Sequence, residues 1–294
     1  MNKAWIEAMR LRTLPVSIAG VIAGIACGIF KGAFNPGASL CCMLFALLAQ
    51  IASNFANEYF DFRNGLDRKG REGFRRGVTE GDIKPHAMKL AVFATLLLAA
   101  IPGCTLIIWG GWWLLPVGIV IALFALAYST GPYPLSHHGL GDVAVIIFFG
   151  LIPVMLTAWL QGLDVGSLPL AGFVGLGVGL LAANVLIVNN YRDMDDDSAV
   201  GKRTTVVIFG RERMAHVYFI FSILGLILLC APASGSSPWL LLPLLFLPKA
   251  ASNQRKLRTS SGAALNPLLK STSLLLFFAS LLLLAESIAD IIIF

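Results

Sequence analysis

The sequence predicts an all-α fold: a polytopic transmembrane helical bundle of about nine spans, formed by residues 1–294 as a single membrane-embedded domain. Three observations carry this prediction. Hydrophobic residues make up 57% of the 294 residues and charged ones only 13%, whereas soluble domains carry about 25% charged residues. The apolar runs recur at lengths near the roughly 20 residues that a helix needs to cross a bilayer. The basic residues between the runs alternate from one side to the other in the manner of cytoplasmic and external loops.

The elements follow in order. Residues 5–13 read as an amphipathic interfacial helix, with Trp5, Ile6, Met9 and Leu11 opposed to Glu7, Arg10 and Arg12. The acid and arginines ahead of the first apolar run do not fit a cleavable signal. Span one runs from about Leu14 to Phe30, and Gly20, Gly24 and Gly28 give it a small-xxx-small face for close packing. Span two covers about Leu40 to Asn57. Spans three and four cover about Ala87 to Trp109 and Trp112 to Tyr128. Span five runs from about Asp142 to Leu160, and span six from about Leu168 to Asn190. Spans seven and eight are His216–Cys230 and Pro238–Pro248, and span nine ends at Phe294. Glu286 and Asp290 near that end read as residues of the far interface. The five cysteines have no CxxC spacing and read as small packing residues in apolar runs.

With the N-terminus inside, the loops after spans two, four, six and eight are cytoplasmic. Bases concentrate there: Arg63, Arg68, Lys69, Arg71, Arg75, Arg76 and Lys84 in the first, Arg192, Lys202, Arg203, Arg211 and Arg213 in the third, and Lys249, Arg255, Lys256, Arg258 and Lys270 in the last. The opposite loops hold only Lys31. The net charge of +6 suits this membrane face and calls for no nucleic-acid partner.

Two polar clusters fall on that same face. The stretch after span two carries Asn57, Asp61 and Asp67; the stretch after span six carries Arg192, Asp193 and Asp197. If each span continues as a helix, Asn57 and Asp61 share a face at i,i+4, as do Asp193 and Asp197. Gly65 allows the chain to turn Asp67 back toward Asp61. Like charges so spaced repel, and more so where solvation is poor, so a cation would relieve them. Hard carboxylate oxygens without accompanying His or Cys favour Mg²⁺ over Zn²⁺, with one or two carboxylates per ion and phosphate or water completing the shell. Arg192, Lys202, Arg203 and the Arg75–Arg76 pair are placed to bind phosphate oxygens. A transporter would carry such acids near the bilayer midplane rather than at span ends.

These motifs resemble the UbiA superfamily of intramembrane aromatic prenyltransferases. Nearly the whole chain takes part. The Asn-x-x-x-Asp…Asp pattern at Asn57, Asp61 and Asp67 and the Asn189-Asn190-Tyr191-Arg192-Asp193…Asp197 block carry the superfamily likeness. Gly139-Leu140-Gly141-Asp142, Gly131-Pro132-Tyr133-Pro134 and Gly201-Lys202-Arg203-Thr204 make the chain similar to the 1,4-dihydroxy-2-naphthoate polyprenyltransferases of menaquinone synthesis, the MenA family. The resemblance implies that Asn57, Asp61, Asp67, Asp193 and Asp197 bind Mg²⁺ and the diphosphate of a polyprenyl diphosphate. It gives Asn189 and Asn190 a supporting place in that shell, and phosphate binding to Arg192, Lys202 and Arg203. An allylic cation, shielded from water, would then be attacked by the electron-rich ring of 1,4-dihydroxy-2-naphthoate with loss of CO₂. Tyr128 is a candidate to face the cation, as are Tyr59, Phe60, Tyr133 and Tyr191. Asp142 would orient the aromatic substrate or cap its helix; His137 or His138 would accept a proton; Arg10 and Arg12 would attract the substrate carboxylate or anionic lipid. Other aromatic acceptors, such as 4-hydroxybenzoate or homogentisate, share the same diphosphate half-site. The implied location is the bacterial plasma membrane, with the active-site loops cytoplasmic. Two positions depart from the family pattern. Glu58 stands where Asp is usual. Leu11 stands where Pro is common, so the first helix is expected to run on without a break.

Overall fold

The computed structural model describes residues 3–69, 75–233 and 238–293. Among these the structure is helical throughout, apart from turns and one isolated bridge between His138 and Arg203. Helix α1 (Lys3–Ala8) lies ahead of α2 (Leu14–Ile29), α3 (Pro36–Arg63), a single turn α4 (Gly77–Glu80) and α5 (Pro85–Thr105). The short α6 (Ile107–Gly110) leads to α7 (Leu114–Ala127). Span five is α8 (Gly141–Val145), a π-helical stretch (Ile146–Leu151) and α9 (Ile152–Leu160). After α10 (Leu168–Ala199) come α11 (Thr205–Phe209), α12 (Arg211–Leu229), α13 (Leu247–Thr259) and α14 (Asn266–Ile293).

Six helical segments are long and apolar enough to cross a membrane, and α2 and α7 are shorter apolar helices of the same character. The segment expected as span eight is instead a 3₁₀ helix, Pro238–Phe246, running into the polar α13. Pro243 and Pro248 lack the N–H groups that a continuous α-helix there would use.

α10 is the axis of the bundle, buried on nearly all sides, with Val174, Val178, Leu181 and Ile187 in the core. The other long helices bury one face and present the rest outward. Lipid offers no hydrophobic driving force between helices, so contact rests on close approach and interhelical hydrogen bonds. Both are present. Gly20 and Gly24 let α2 meet span five so closely that an added Cβ would lie 2.7 Å from the Phe149 or Val154 carbonyl oxygen. The Asn184 amide donates to the Tyr218 carbonyl at 3.0 Å and to Ser222 Oγ at 2.9 Å, joining α10 to α12. Tyr218 Oη and Thr272 Oγ1 share a hydrogen bond of 3.0 Å, joining α12 to α14. At the end away from the acids, Gln161 Oε1 accepts from Asn35 N at 2.9 Å and Ser39 Oγ at 3.0 Å, tying span five to the start of α3.

Four local expectations are corrected. The first helix does not run on to residue 13: it ends at Ala8, and Arg10 adopts a left-handed φ of +52° as the chain turns into α2. Span five is not uniformly α-helical. Pro153 cannot donate to the Phe149 carbonyl and its ring crowds that oxygen, and the wider π turn accommodates both effects. Glu286 is not an interface residue: it is 3% exposed, within the bundle. The cysteines are all free, and Cys104 is exposed rather than packed inside.

Gly24→Val is expected to cost about 1–3 kcal/mol or more by forcing α2 away from α9, read as a lowered unfolding temperature in detergent. Gly118→Ala is the control, since an added Cβ there meets nothing within 4 Å.

Candidate active site

The acids arrive on the last turns of two long helices. α3 continues to Arg63, so Asn57 and Asp61 are stacked one turn apart, and α10 continues to Ala199, so Asp193 and Asp197 are likewise stacked. Asp61, Asp193 and Asp197 are buried, whereas Asp195, between the latter two, is exposed. Gly65, at φ +69°, reverses the chain after α3, and the Leu66 amide donates back to the Asp61 carbonyl at 2.9 Å. This return brings Asp67 beside Asp61, where Arg76 serves both: Arg76 Nε lies 3.6 Å from Asp67 Oδ2 and Nη2 lies 3.8 Å from Asp61 Oδ2.

The two helix ends meet across one cavity of about 460 Å³. Asn57 and Asp61 line one wall, Asn189, Asn190 and Asp193 another, and Arg76 and Lys202 sit at the same polar end. An ion pair between Arg68 and Asp196 also bridges the two clusters. Away from the acids the cavity becomes apolar, walled by Phe45, Phe124, Phe148, Phe149 and Leu156.

Asp61, Asp193 and Asp197 each have a base. Arg192 holds Asp193 bidentately, at 2.7 and 2.9 Å, and also donates to Asn189 Oδ1 and Asn266 Oδ1, both at 2.9 Å. It therefore orients the second cluster and joins it to α14; it does not present an open fork to phosphate, contrary to expectation. Lys202 Nζ lies 3.8 Å from Asp197 Oδ1 and also faces the cavity. Three ties hold the Lys202 loop. Its own amide donates to the Asp197 carbonyl at 2.9 Å, the Arg203 amide donates to the His137 carbonyl at 3.0 Å, and Thr205 Oγ1 donates to Asp142. Asp142 thus anchors this loop from the start of α8 and does not line the cavity. Arg203 is exposed and does not line the cavity.

Of the aromatic candidates, only Tyr128 lines the cavity. Tyr59 packs on Phe60, Tyr133 stacks on His138, and the Tyr191 ring is covered by the Arg211 guanidinium. One contributor was not singled out in the sequence. Ser129 Oγ donates to Asn57 Oδ1 and fixes that amide. Glu58, the departure from the family pattern, is engaged by loop backbone. Its Oε1 accepts from the Val78 amide at 3.0 Å at the start of α4, the turn that directly follows Arg76. Its longer side chain anchors the loop that carries Arg76.

Among the described residues, no three His, Cys, Asp or Glu side chains converge on one ion site. The donor set of Asp61, Asp67, Asp193, Asp197 and Asn57 is all hard oxygen, as Mg²⁺ requires.

Residues 17–282 match the model of the UbiA prenyltransferase family. The chain belongs to the UbiA prenyltransferase family. Among relatives in this family, the Escherichia coli (strain K12) 1,4-dihydroxy-2-naphthoate octaprenyltransferase is 33% identical over 92% of this chain and 90% of its own length. The Mycobacterium tuberculosis protein of the same description is 31% identical over 92% and 91%. UbiA-family structures share the fold. A UbiA homolog from Archaeoglobus fulgidus bound to GPP and Mg²⁺ superposes with a TM-score of 0.67 at 17% identity, covering 98% of this chain and 99% of that one. An apo UbiA homolog from Aeropyrum pernix K1 gives 0.71 at 14% identity, covering 94% and 98%. The chain is accordingly an integral membrane protein of the UbiA fold.

Two outcomes are expected. Glu58→Ala should free α4, misplace Arg76 and lower kcat/KM roughly 10- to 100-fold, with most of the change in the KM for the diphosphate substrate. His137, in the loop outside the spans, has its pKa lowered from 6.5 by burial and then by the Lys202 charge. The folded protein therefore takes up this proton at lower pH than the unfolded chain, so stability present above pH 6.5 is lost as pH falls below it. Unfolding temperatures at pH 7.5 and 5.5 should fall less with acidification in His137→Gln than in the wild type.

Proposed function

We propose that the protein transfers a polyprenyl group from polyprenyl diphosphate to 1,4-dihydroxy-2-naphthoate, with loss of diphosphate and CO₂, giving demethylmenaquinol. The observation that carries this reading is the single cavity in which two acid-and-amide clusters and two bases form one end and an apolar trunk the other. That division matches a donor with an anionic head and a hydrocarbon tail. The names of the relatives described above supply the acceptor, and the GPP and Mg²⁺ of the A. fulgidus homolog support the donor class and the metal.

In this reading Asp61, Asp67, Asp193 and Asp197 hold Mg²⁺, with Asn57 as a neutral oxygen ligand and Asn189 and Asn190 supporting the shell. Bound there, Mg²⁺ supplies neutralisation of charge on the diphosphate oxygens. Arg76 and Lys202 bind those oxygens from the protein side and stabilise the negative charge that grows as the allylic C–O bond breaks toward the diphosphate. The apolar trunk takes the prenyl tail and keeps water from the allylic cation, and the Tyr128 ring faces that cation. A ring carbon of the naphthoate then forms the new C–C bond, and the ring carboxylate leaves as CO₂. Arg192 and Asp142 act through others, the first by fixing Asp193, the second by anchoring the Lys202 loop. The positive loops support a cytoplasmic position for the acid-bearing end and the N-terminus in a bacterial plasma membrane.

The test is turnover of purified protein with a labelled prenyl diphosphate and either 1,4-dihydroxy-2-naphthoate or 4-hydroxybenzoate. Transfer to the first and not the second is expected, abolished by EDTA and restored by Mg²⁺. Asp61→Asn and Asp193→Asn should each lower kcat/KM by about 100-fold or more; near wild-type activity in both would sink the assignment. Preference for 4-hydroxybenzoate would keep prenyl transfer and overturn the acceptor.

A further inference from the structure

Residues 213–285 contain no Asp or Glu but six bases: Arg213, Lys249, Arg255, Lys256, Arg258 and Lys270. Four of these fall on α13. Around the acid clusters the pattern is different. Arg68, Arg76, Arg192, Lys202 and Arg211 each sit against a carboxylate. Among the described residues, none of the four bases of α13 makes an ion pair.

α13 is the second half of the segment expected as span eight, so it is a flank of the bundle and not a loop. It packs on α12 and α14 through Ala250, Asn253 and Leu257, which are buried at i, i+3 and i+7. Lys249, Arg255, Lys256 and Arg258 are exposed on the rest of its circumference. The helix dipole favours bases in the last turn, but Lys249 lies at the other end of the helix. Arg255 and Arg258, at i,i+3, repel one another. Depth is set by α14. Ser271 Oγ donates to Asn253 Oδ1 at 2.9 Å, which levels the middle of α13 with the second turn of α14, and Asn266 at the start of α14 is held by Arg192. Arg255, Lys256 and Arg258 therefore lie at the polar end. Lys249 stands about 15 Å along the axis from the end of α13, and its flexible stem can carry the ammonium back toward that level.

Beyond the bases the exposed surface turns apolar. Leu245 and Leu241, in the 3₁₀ helix ahead of α13, are 71% and 50% exposed, and Ile220, Leu224 and Ile227 form an exposed stripe on the adjoining α12. Unneutralised cations at the polar end with hydrocarbon surface above them complement a molecule with an anionic head and acyl chains. A soluble acidic protein would match the bases and leave the leucines without a partner.

We propose that the exposed face of α13 binds an anionic phospholipid of the leaflet at the polar end of the bundle. Arg255, Lys256 and Arg258 take its phosphate, Lys249 reaches the same headgroup, and an acyl chain lies along Leu245 and the α12 stripe. The bound lipid relieves the repulsion within α13 and steadies the α13–α14 junction that supplies Asn266 to Arg192. This binding does not depend on the chemistry of the cavity.

The test uses the whole protein in non-ionic detergent, with phosphatidylglycerol and phosphatidylcholine of identical acyl chains added in equal amounts. Lipid retained through gel filtration is counted by headgroup. The wild type should retain phosphatidylglycerol over phosphatidylcholine by at least about tenfold. Replacing Lys249, Arg255, Lys256 and Arg258 together by Gln should bring that ratio below about twofold. Replacing Arg63, Lys69, Lys84 and Lys89 by Gln removes the same charge from exposed bases on the α3–α5 side and should keep it above about fivefold. The pair Arg255→Gln and Lys256→Gln should at least halve the ratio, so the outcome does not hang on the fourfold variant folding. Phosphatidylglycerol should also raise the unfolding temperature of the wild type above that in phosphatidylcholine, and glycerol phosphate, the anionic headgroup alone, should not. Equal retention of the two lipids by the wild type, an unchanged ratio in the pair, or equal loss in the α3–α5 variant would each overturn the proposal. Equal stabilisation by glycerol phosphate would do the same, by making the surface a free-phosphate site.

Discussion

Burying a charge at the end of a membrane bundle is tolerable only when an opposite charge and further hydrogen bonds come with it, and the Arg192–Asp193 pair meets that condition most completely. Arg192 is 4% exposed and Asp193 3%. The fork is closed on both carboxylate oxygens, and its remaining donors reach Asn189 on the same helix and Asn266 at the start of α14. This one cation therefore sets the rotation of Asp193 toward the cavity and the position of α14 against α10. It also sets a division of labour. Arg192 is fully engaged, so binding of a mobile anion passes to Arg76 and Lys202, whose contacts to carboxylates are longer, at 3.6–3.8 Å.

The rest of the site is built by loops that converge on those two bases. Glu58 caps the turn beside Arg76, and Asp142 with the His137 carbonyl anchors the strand of chain around Lys202. Both anchors are acids or carbonyls that a simple reading of charge would have assigned to chemistry. Below them, close glycine-mediated packing of α2 on α9 draws the bundle tight and leaves the apolar trunk as its interior space. Electrostatic order at one end and steric closeness along the walls thus produce a single amphipathic cavity.

Much of this was legible in the sequence because it depends on local repeat. The i,i+4 spacing of Asn57 with Asp61 and of Asp193 with Asp197 needs only that the spans continue as helices, and they do. Gly65 in a turn and the Gly20–Gly24–Gly28 face are equally local. The illegible parts depend on partners far away in the chain. Glu58 looks like a spare metal ligand until Val78 is seen to occupy it, Arg192 looks like a phosphate clamp until Asn266 is placed beside it, and Ser129 has no role until Asn57 is found across from it. The Arg10 backbone is of the same kind. Nothing in Met9-Arg10-Leu11 signals a left-handed residue; the hydrogen bond from Asn54 to the Met9 carbonyl and the entry angle into α2 impose it.

The π-helical stretch from Ile146 to Leu151 has a further consequence for how this bundle admits change. A π turn holds one residue more than the α turn it replaces, and in an α-helix each residue rotates the following side chains by about 100°. The surplus residue thus acts as a phase shifter between the two halves of span five. It lets Asp142 face Thr205 at the polar end while Thr157 and Gln161 stay in register with the glycines of α2 and with α3. Close packing fixes that phase: a Cβ on Gly150 would lie 2.3 Å from the Gly175 carbonyl oxygen and 2.4 Å from Gly179 Cα, so the offset between the two ends of span five is locked against the bundle axis.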